Sequence, residues 1–91
     1  MDVTSEIRTM RKYTIRTDNR ISMHDVEEKL KDLGMIKTEI YNLYCDHWTE
    51  VCFHLFRSTP RTFILDSDDD SSKTEAVLKV VMDVIEGLDD L

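Results

Sequence analysis

One stretch, residues 40–65, constrains the fold more than any other part of the chain. Within it, residues 41–45 and 50–55 alternate apolar and polar side chains with a period of two, which is typical of half-buried β-strands. A third apolar run, residues 62–65, follows a turn at Pro60, a residue that cannot donate to a strand ladder. The stretch therefore predicts three consecutive strands joined by short turns.

The register of the first hairpin is predicted from the same alternation. An odd-numbered turn places one set of apolar side chains on a single inner face: Tyr41, Leu43, Cys45, Val51, Phe53 and Leu55. An even-numbered loop would place polar residues opposite Leu43 and Cys45, because a one-residue slip turns every side chain to the other face. We therefore predict a three-residue turn of Asp46, His47 and Trp48. The outer face would carry Asn42, Tyr44, Glu50, Cys52, His54 and Phe56.

The segment before this stretch predicts one strand and one helix. Residues 12–17 alternate apolar and polar side chains and stop at a polar turn, which indicates a first strand. Ser22 is a suitable N-cap for a helix that begins at Met23, and Gly34 supplies the left-handed residue that ends it. The inward stripe of this helix is Val26, Leu30 and Leu33.

The segment after it predicts a polar loop and a second helix. Residues 66–72 contain no apolar side chain, and Ser72 with Glu75 forms a capping box at the start of a helix over residues 73–86. The element order becomes β-α-β-β-β-α. We predict an α+β two-layer sandwich in which both helices cover one face of an antiparallel sheet. Residues 1–11 would be a flexible lead-in, and residues 12–91 a single domain.

Charge, cysteines and the first residues limit the surroundings of the chain. The formal charge is −7, and residues 66–91 hold nine acidic residues against two lysines. This balance disfavours direct nucleic-acid binding, unless the cluster Arg8, Arg11, Lys12, Arg16 and Arg20 forms a local basic patch; solvated side chains are the simpler interpretation. No apolar run is long enough for a membrane span. Without a secretory signal, we expect a cytoplasmic or nuclear, and hence intracellular, location. Cys45 and Cys52 would point to opposite faces and remain free thiols.

Several patterns could carry chemistry, and each is incomplete. Cys45, His47, Cys52 and His54 could together bind zinc, but the predicted register divides them between two faces, which also argues against a cysteine nucleophile. The acidic segment begins like a calcium loop, yet it lacks the glycine and the final glutamate of an EF-hand. We therefore expect no catalytic site, no metal and no cofactor.

The order of elements resembles that of kinase-associated domain 1, found at the C-termini of AMP-activated and checkpoint-type protein kinases. The similar segments are residues 26–34, 51–56 and 61–66 and the final amphipathic helix, within residues 12–88. The family usually has one further sheet strand, and its membrane-binding members carry basic surfaces that this acidic chain lacks. The resemblance implies a docking module for a regulatory subunit or a kinase domain.

These observations predict a non-catalytic, intracellular regulatory domain that docks a protein partner through its exposed sheet face or its hairpin tip. The candidate contact residues are Trp48, His47, Tyr44, His54 and Phe56. Exposed aromatic residues on a sheet also allow a homodimer. One alternative is an acidic inhibitor, of viral origin or otherwise, that mimics nucleic acid on a DNA- or RNA-binding protein. Another is a small enzyme of unknown chemistry.

Overall fold

The computed structural model describes residues 1–7, 11–68 and 71–91. This part of the chain forms β1 (Asp2–Ile7), β2 (Arg11–Arg16), α1 (Met23–Asp32), β3 (Met35–Lys37), β4 (Leu43–Asp46), β5 (Cys52–Thr59), β6 (Thr62–Ser67) and α2 (Ser72–Asp89). The strands build one sheet in the order β1-β2-β6-β5-β4-β3, and each neighbouring pair is antiparallel. Two short segments lie outside the described residues: residues 8–10 of the predicted lead-in, which include Arg8, and Asp69 and Asp70 of the acidic segment.

The hydrophobic core lies between the sheet and the two helices. Every second residue of the inner strands is buried there, because successive side chains of a strand point to opposite faces. The strands supply Tyr13, Ile15, Met35, Tyr44, Phe53, Leu55, Phe63 and Leu65, and the helices supply Val26, Leu30, Val77, Leu78, Val81 and Ile85. This arrangement confirms the predicted α+β two-layer sandwich.

The first hairpin has a different register from the predicted one. Tyr44 lies opposite Phe53 and Cys45 lies opposite Cys52, so the loop 46–51 has an even number of residues. The prediction assumed that Cys45 and its apolar neighbours had to face the core. Tyr44 fills the core position instead, where it is 1% exposed and its ring stacks on Phe53 with centroids 5.6 Å apart. The odd-numbered loop was therefore wrong.

The turn itself explains why the loop is even. The backbone N–H of Asp46 donates to the carbonyl of Val51 at 2.8 Å, which closes a four-residue turn. The Asp46 carboxylate accepts from the backbone N–H of Thr49 at 3.0 Å and from its hydroxyl at 2.6 Å. Glu50 completes the turn with a φ of 63°. An aspartate that bonds its own turn in this way stabilises the loop without any apolar contact.

The corrected register changes half of the predicted inner face. Val51, Phe53 and Leu55 are buried as predicted. Tyr41, Leu43 and Cys45 are not: Tyr41 is 83% exposed, and the other two are half-buried. β4 is only four residues long and has apolar side chains on both of its faces. Its register is therefore set by the turn and by the burial of Tyr44.

The prediction of free thiols was also wrong, because Cys45 and Cys52 form a disulfide. With an even loop the two cysteines are directly opposite each other and share one face of the sheet. Side chains at opposite positions of an antiparallel pair are close enough to be bridged. The error in the register and the error in the cysteines have the same origin.

Two strands were not among the predicted elements. β1 pairs with β2 along its whole length, from Asp2 opposite Arg16 to Ile7 opposite Arg11, in the segment predicted to be a lead-in. β3 is only three residues long and pairs with β4 at the other edge of the sheet. Both are edge strands with little alternation of apolar and polar residues, so the period-two pattern did not indicate them.

The helix boundaries are close to the predicted ones, and the caps differ. α1 begins at Met23 and is followed by Gly34 with a φ of +85°, both as predicted. Ser22 occupies the N-cap position of α1, but its side chain makes no capping hydrogen bond. The N-cap of α2 is Ser71 rather than Ser72, and its hydroxyl accepts from the Thr74 N–H at 3.2 Å. The predicted capping box therefore lies one residue too far along the chain.

The end of α2 is fastened to the loop after β2 by one buried carboxylate. Asp89 accepts hydrogen bonds from the backbone N–H groups of Asp18, at 3.0 Å, and Asn19, at 2.9 Å, and from the Asn19 side chain at 3.2 Å. Burial raises the pKa of Asp89, but these hydrogen bonds outweigh it, and the pKa lies below its ordinary value. Neither α1 nor α2 is long and apolar enough to cross a membrane.

Candidate functional site

The outer face of the sheet, here the open face, is covered by neither helix. It is formed by the strand residues that alternate with the core residues: Lys12, Thr14, Arg16, Ile36, Leu43, Cys45, Cys52, His54, Phe56, Thr62, Ile64 and Asp66. Each of them is exposed or half-buried. A two-layer sandwich leaves such a face to solvent or to a partner.

A row of alternating acidic and basic residues crosses the open face. Glu6, Lys12, Asp66 and His54 lie opposite one another in turn on four neighbouring strands, and Leu43 follows on the fifth. The Nδ1 atom of His54 lies 3.3 Å from a carboxylate oxygen of Asp66. Opposite charges in such cross-strand positions stabilise the pairing modestly.

Apolar side chains are concentrated on one half of the open face. We call this set the apolar patch: Ile36, Tyr41, Leu43, Phe56 and Ile64, together with the Cys45–Cys52 disulfide. Phe56 lies directly opposite Ile64, and Leu43 lies opposite His54 on the next strand. Exposed apolar residues grouped in this way are typical of contact surfaces, whereas single ones need no explanation.

Two cavities flank His54 on this half of the face. The first, which we call the aromatic cleft, has a volume of about 340 Å³ and is lined by Tyr41, Asn42, His54, Phe56, Asp66 and Asp68. The second has about 540 Å³ and is lined by residues that include Leu43, Glu50, Cys52 and Lys73. His54 and Asp68 border both cavities. The two cavities are therefore neighbours that share His54 and Asp68 as a common border.

The hairpin tip is a separate exposed feature. Trp48 is 78% exposed, and its indole contacts Gly34 at the end of α1: a Cβ added to Gly34 would lie 2.8 Å from Nε1. The backbone N–H of His47 donates to the carbonyl of Gly34 at 2.8 Å, and the two rings of the tip meet edge to face. One edge of the indole is thus folded against the protein, while most of the ring faces solvent.

The structure brings together only some of the predicted contact residues. His54 and Phe56 share the aromatic cleft. His47 borders a different hollow, beside Ile36 and the disulfide, and Trp48 lies at the hairpin tip. Four of the five predicted residues are therefore at the surface, on two separate parts of it.

Tyr44 was placed on the wrong face. Its side chain is in the core, and its hydroxyl donates to the Glu27 carboxylate at 3.2 Å, which also accepts from the Lys37 ammonium at 3.3 Å. Burial raises the pKa of the Tyr44 phenol well above its usual value, and the charge of Glu27 and this hydrogen bond act in the same direction. Tyr44 is therefore a structural residue that links β4 to α1.

The cysteines and histidines do not form the zinc site that was considered. Cys45 and Cys52 are bonded to each other, which leaves neither sulfur as a thiolate ligand or nucleophile. Within the ranges 1–7, 11–68 and 71–91, no group of three or more histidine, cysteine, aspartate or glutamate side chains is placed to hold a metal ion.

Sequence reasoning missed seven residues of this site: Ile36, Tyr41, Leu43, Cys45, Ile64, Asp66 and Asp68. Ile64 and Asp66 could have been found, because they alternate along the predicted third strand with Phe63 and Leu65, which are buried in the core. Tyr41 and Leu43 were assigned to the core with the wrong register, and Ile36 lies on a strand that was not predicted.

The fold and the site define the class of this protein: a small α+β sandwich with one uncovered sheet face that carries an apolar patch and an acidic, aromatic cleft. No family model, no curated protein and no solved structure matches the chain. The resemblance to kinase-associated domain 1 therefore stays a hypothesis.

Proposed function

We propose that this chain is a non-catalytic protein-interaction domain that docks a protein partner on the apolar patch of its open face. The observation that carries the proposal is the grouping of Phe56, Ile64, Leu43, Ile36 and Tyr41 on the sheet face that the helices leave uncovered. Aromatic and aliphatic side chains that lose their contact with water on docking supply most of the affinity of a protein interface.

The paired cavities support the same surface. Interfaces gain affinity where an anchor side chain enters a pocket, and two cavities border His54, one of which is also lined by Phe56. A flat apolar sheet would instead be an aggregation hazard. We therefore place the centre of the proposed interface at Phe56 and His54, which keeps two of the predicted contact residues.

Affinity capture with two matched variants tests this proposal. Phe56→Ser removes the central anchor of the patch, and Val80→Ser removes an equally exposed apolar side chain from α2: the two residues are 36% and 37% exposed. We expect Phe56→Ser to lose the partner identified by mass spectrometry, Val80→Ser to retain it, and both to unfold at nearly the wild-type temperature. Equal retention by the two variants would contradict docking on the open face.

The hairpin tip is the second surface of the proposal. An exposed tryptophan is a frequent interface anchor, and most of the Trp48 ring faces solvent. Trp48→Ala should then weaken capture of the partner. Its thermal stability should fall only by the small amount that the lost contact with Gly34 explains. If only Phe56→Ser affects capture, the interface is restricted to the open face.

The acidic-inhibitor alternative predicts a different salt dependence. Binding that imitates nucleic acid should weaken steeply between about 0.05 and 0.2 M salt, whereas an interface centred on the apolar patch, in which few charges take part, should weaken far less. On α2 the acidic residues are interspersed with lysines, and Lys79 lies 3.4 Å from Asp83. This mixture favours the protein-interaction proposal. The enzyme alternative has no support in the disulfide-bonded cysteines.

A homodimer that forms through the same apolar patch is a separate case, because affinity capture of a different protein does not detect it. The charge of −7 on each copy opposes close approach of two identical faces, so we propose a different protein as the partner. Sedimentation equilibrium at low and high salt separates the two cases. A dimer whose formation depends on Phe56 would overturn this choice.

We also propose an intracellular location, cytoplasmic or nuclear, and a regulatory role of the kind that the resemblance to kinase-associated domain 1 implies. The disulfide bears on the location, because reducing compartments keep thiols reduced. Alkylation of living cells before lysis measures the state of Cys45 and Cys52 directly. Two alkylated thiols would support the intracellular proposal, and the disulfide of the structure, if it is intact in cells, would contradict it.

A further inference from the structure

The aromatic cleft combines features that select a particular kind of side chain. Its two rings, Tyr41 and Phe56, stand on the same cavity as the carboxylates of Asp66 and Asp68. Its remaining lining residues, Asn42 and His54, are polar. We propose that the partner inserts an arginine side chain into the aromatic cleft, an inference that rests on the proposed protein-interaction function.

The charge of the cleft favours a cation over any other occupant. Two of its six lining residues are carboxylates, and its one basic group, His54, lies 3.3 Å from Asp66. Lys73 borders the neighbouring cavity but not this one. The whole chain carries a charge of −7, so its field attracts a basic segment and repels an acidic one. An anion would therefore meet repulsion at the cleft and at a distance.

The aromatic walls favour a guanidinium over an inorganic ion. A cation that lies over the face of a tyrosine or phenylalanine is attracted by the ring quadrupole, and the planar guanidinium stacks on such rings better than an ammonium does. The same group can form two parallel hydrogen bonds with one carboxylate. Tyr41 and Phe56 provide the rings, and Asp66 and Asp68 provide the acceptors. Ions such as Ca²⁺ and Mg²⁺ instead prefer a shell of oxygen ligands and water, which two aromatic rings do not supply.

The neighbouring cavity accommodates the residues beside the arginine. It shares His54 and Asp68 with the aromatic cleft, and its other lining residues include the apolar Leu43 and Val51 beside the polar Glu50 and Lys73. A segment that crosses the open face with its arginine in the first cavity would place an adjacent apolar residue in the second. The partner sequence expected here is therefore basic and apolar, not uniformly basic.

The test uses single-residue probes, because they do not require the partner. N-acetyl-arginine amide, the citrulline amide and the lysine amide are titrated into the isotope-labelled chain while backbone amide shifts are followed. We expect the arginine probe to shift residues of the aromatic cleft, and the uncharged citrulline, which has nearly the same shape, to bind at least about tenfold more weakly. Equal binding of arginine and citrulline, or shifts confined to other residues, would overturn the proposal. Tighter binding of lysine would overturn the choice of arginine.

Matched variants distinguish this proposal from the proposed function. Asp66→Asn combined with Asp68→Asn removes the two negative charges of the cleft, whereas Asp83→Asn removes one from the outer side of α2. Only the first variant should abolish the arginine shifts. If the captured partner is lost by Phe56→Ser but retained by the Asp66→Asn, Asp68→Asn variant, the interaction function stands and the arginine inference fails. If both variants retain the partner, both proposals fail.

Discussion

Replacement of Asp89 by asparagine should reveal how strongly one carboxylate fastens α2 to the rest of the fold. Asp89 is 5% exposed and accepts three hydrogen bonds from the loop after β2, at 2.9, 3.0 and 3.2 Å. A hydrogen bond to a charged group contributes about 1.5–3 kcal/mol, and three that share one carboxylate are not additive. An amide keeps one acceptor oxygen but turns its NH₂ group toward an N–H donor. We therefore expect Asp89→Asn to lower the free energy of unfolding by about 2 kcal/mol at neutral pH.

The pH dependence of this difference has a definite sign. The pKa of Asp89 in the folded chain lies below its ordinary value, so its contribution is fully present above the unfolded pKa. It is lost as the pH falls through the folded pKa, because the protonated carboxyl no longer accepts these bonds as an anion. Urea unfolding of both proteins at a series of pH values should show a difference of about 2 kcal/mol near pH 7 that shrinks below about pH 4.

Asp90→Asn is the matched control, because Asp90 is the next residue, carries the same charge and is exposed. It should change the free energy of unfolding by less than about 0.5 kcal/mol at every pH. The reasoning would be refuted if Asp89→Asn and Asp90→Asn had the same effect. A difference that persisted unchanged in acid would also refute it, since the carboxylate charge would then not be its cause.

The remaining predictions concern the hairpin and its support. Replacing Cys45 and Cys52 by serine should lower stability by about 2.4 kcal/mol from loop closure, because they are 7 residues apart in sequence, and dithiothreitol should then have no further effect. Tyr44→Phe should cost about 1 kcal/mol in urea unfolding, since the hydroxyl loses its hydrogen bond to α1 while the stacked ring remains. Gly34→Ala should cost at least about 1 kcal/mol, because its φ is +85°, and it should change the fluorescence of the single tryptophan that it would touch. Gly87→Ala, near the end of α2, has free space for a Cβ and should instead stabilise the chain by about 0.5 kcal/mol.

The elements that could be predicted from the sequence are those whose periodicity is fixed by burial on one side. The stripe of Val26 and Leu30 indicated α1, and the alternation of Phe53 and Leu55 with polar residues indicated β5, because these side chains are fully buried on one face. β1 and β3 lie at the edges of the sheet, where few side chains meet the core. Edge strands therefore leave no comparable pattern in the sequence.

The site was harder to predict, because its position depends on one register. Between Tyr41 and Cys45 both phases of the strand contain apolar or aromatic side chains, so alternation does not decide which phase is buried. The decision rests on the turn formed by Asp46 and on the hydrogen bond of the Tyr44 hydroxyl to Glu27. These are contacts between groups that no local period encodes. Only the general location, the outer face of the sheet, followed from the sequence.

A sheet with one open face needs protection against association with other sheets, and here the protection is unevenly distributed. β3 limits one edge to three residues, and β1 places Asp2 and Glu6 along the other, two devices that oppose pairing between edges. The apolar patch lies on the open face itself, with Phe56 and Ile64 on the two central strands, β5 and β6. Because the edges are protected and the charge of −7 opposes a second copy, we propose that association takes place on the face and with a partner of opposite charge. The same distribution that keeps this sheet from pairing with itself therefore favours a basic segment on the aromatic cleft.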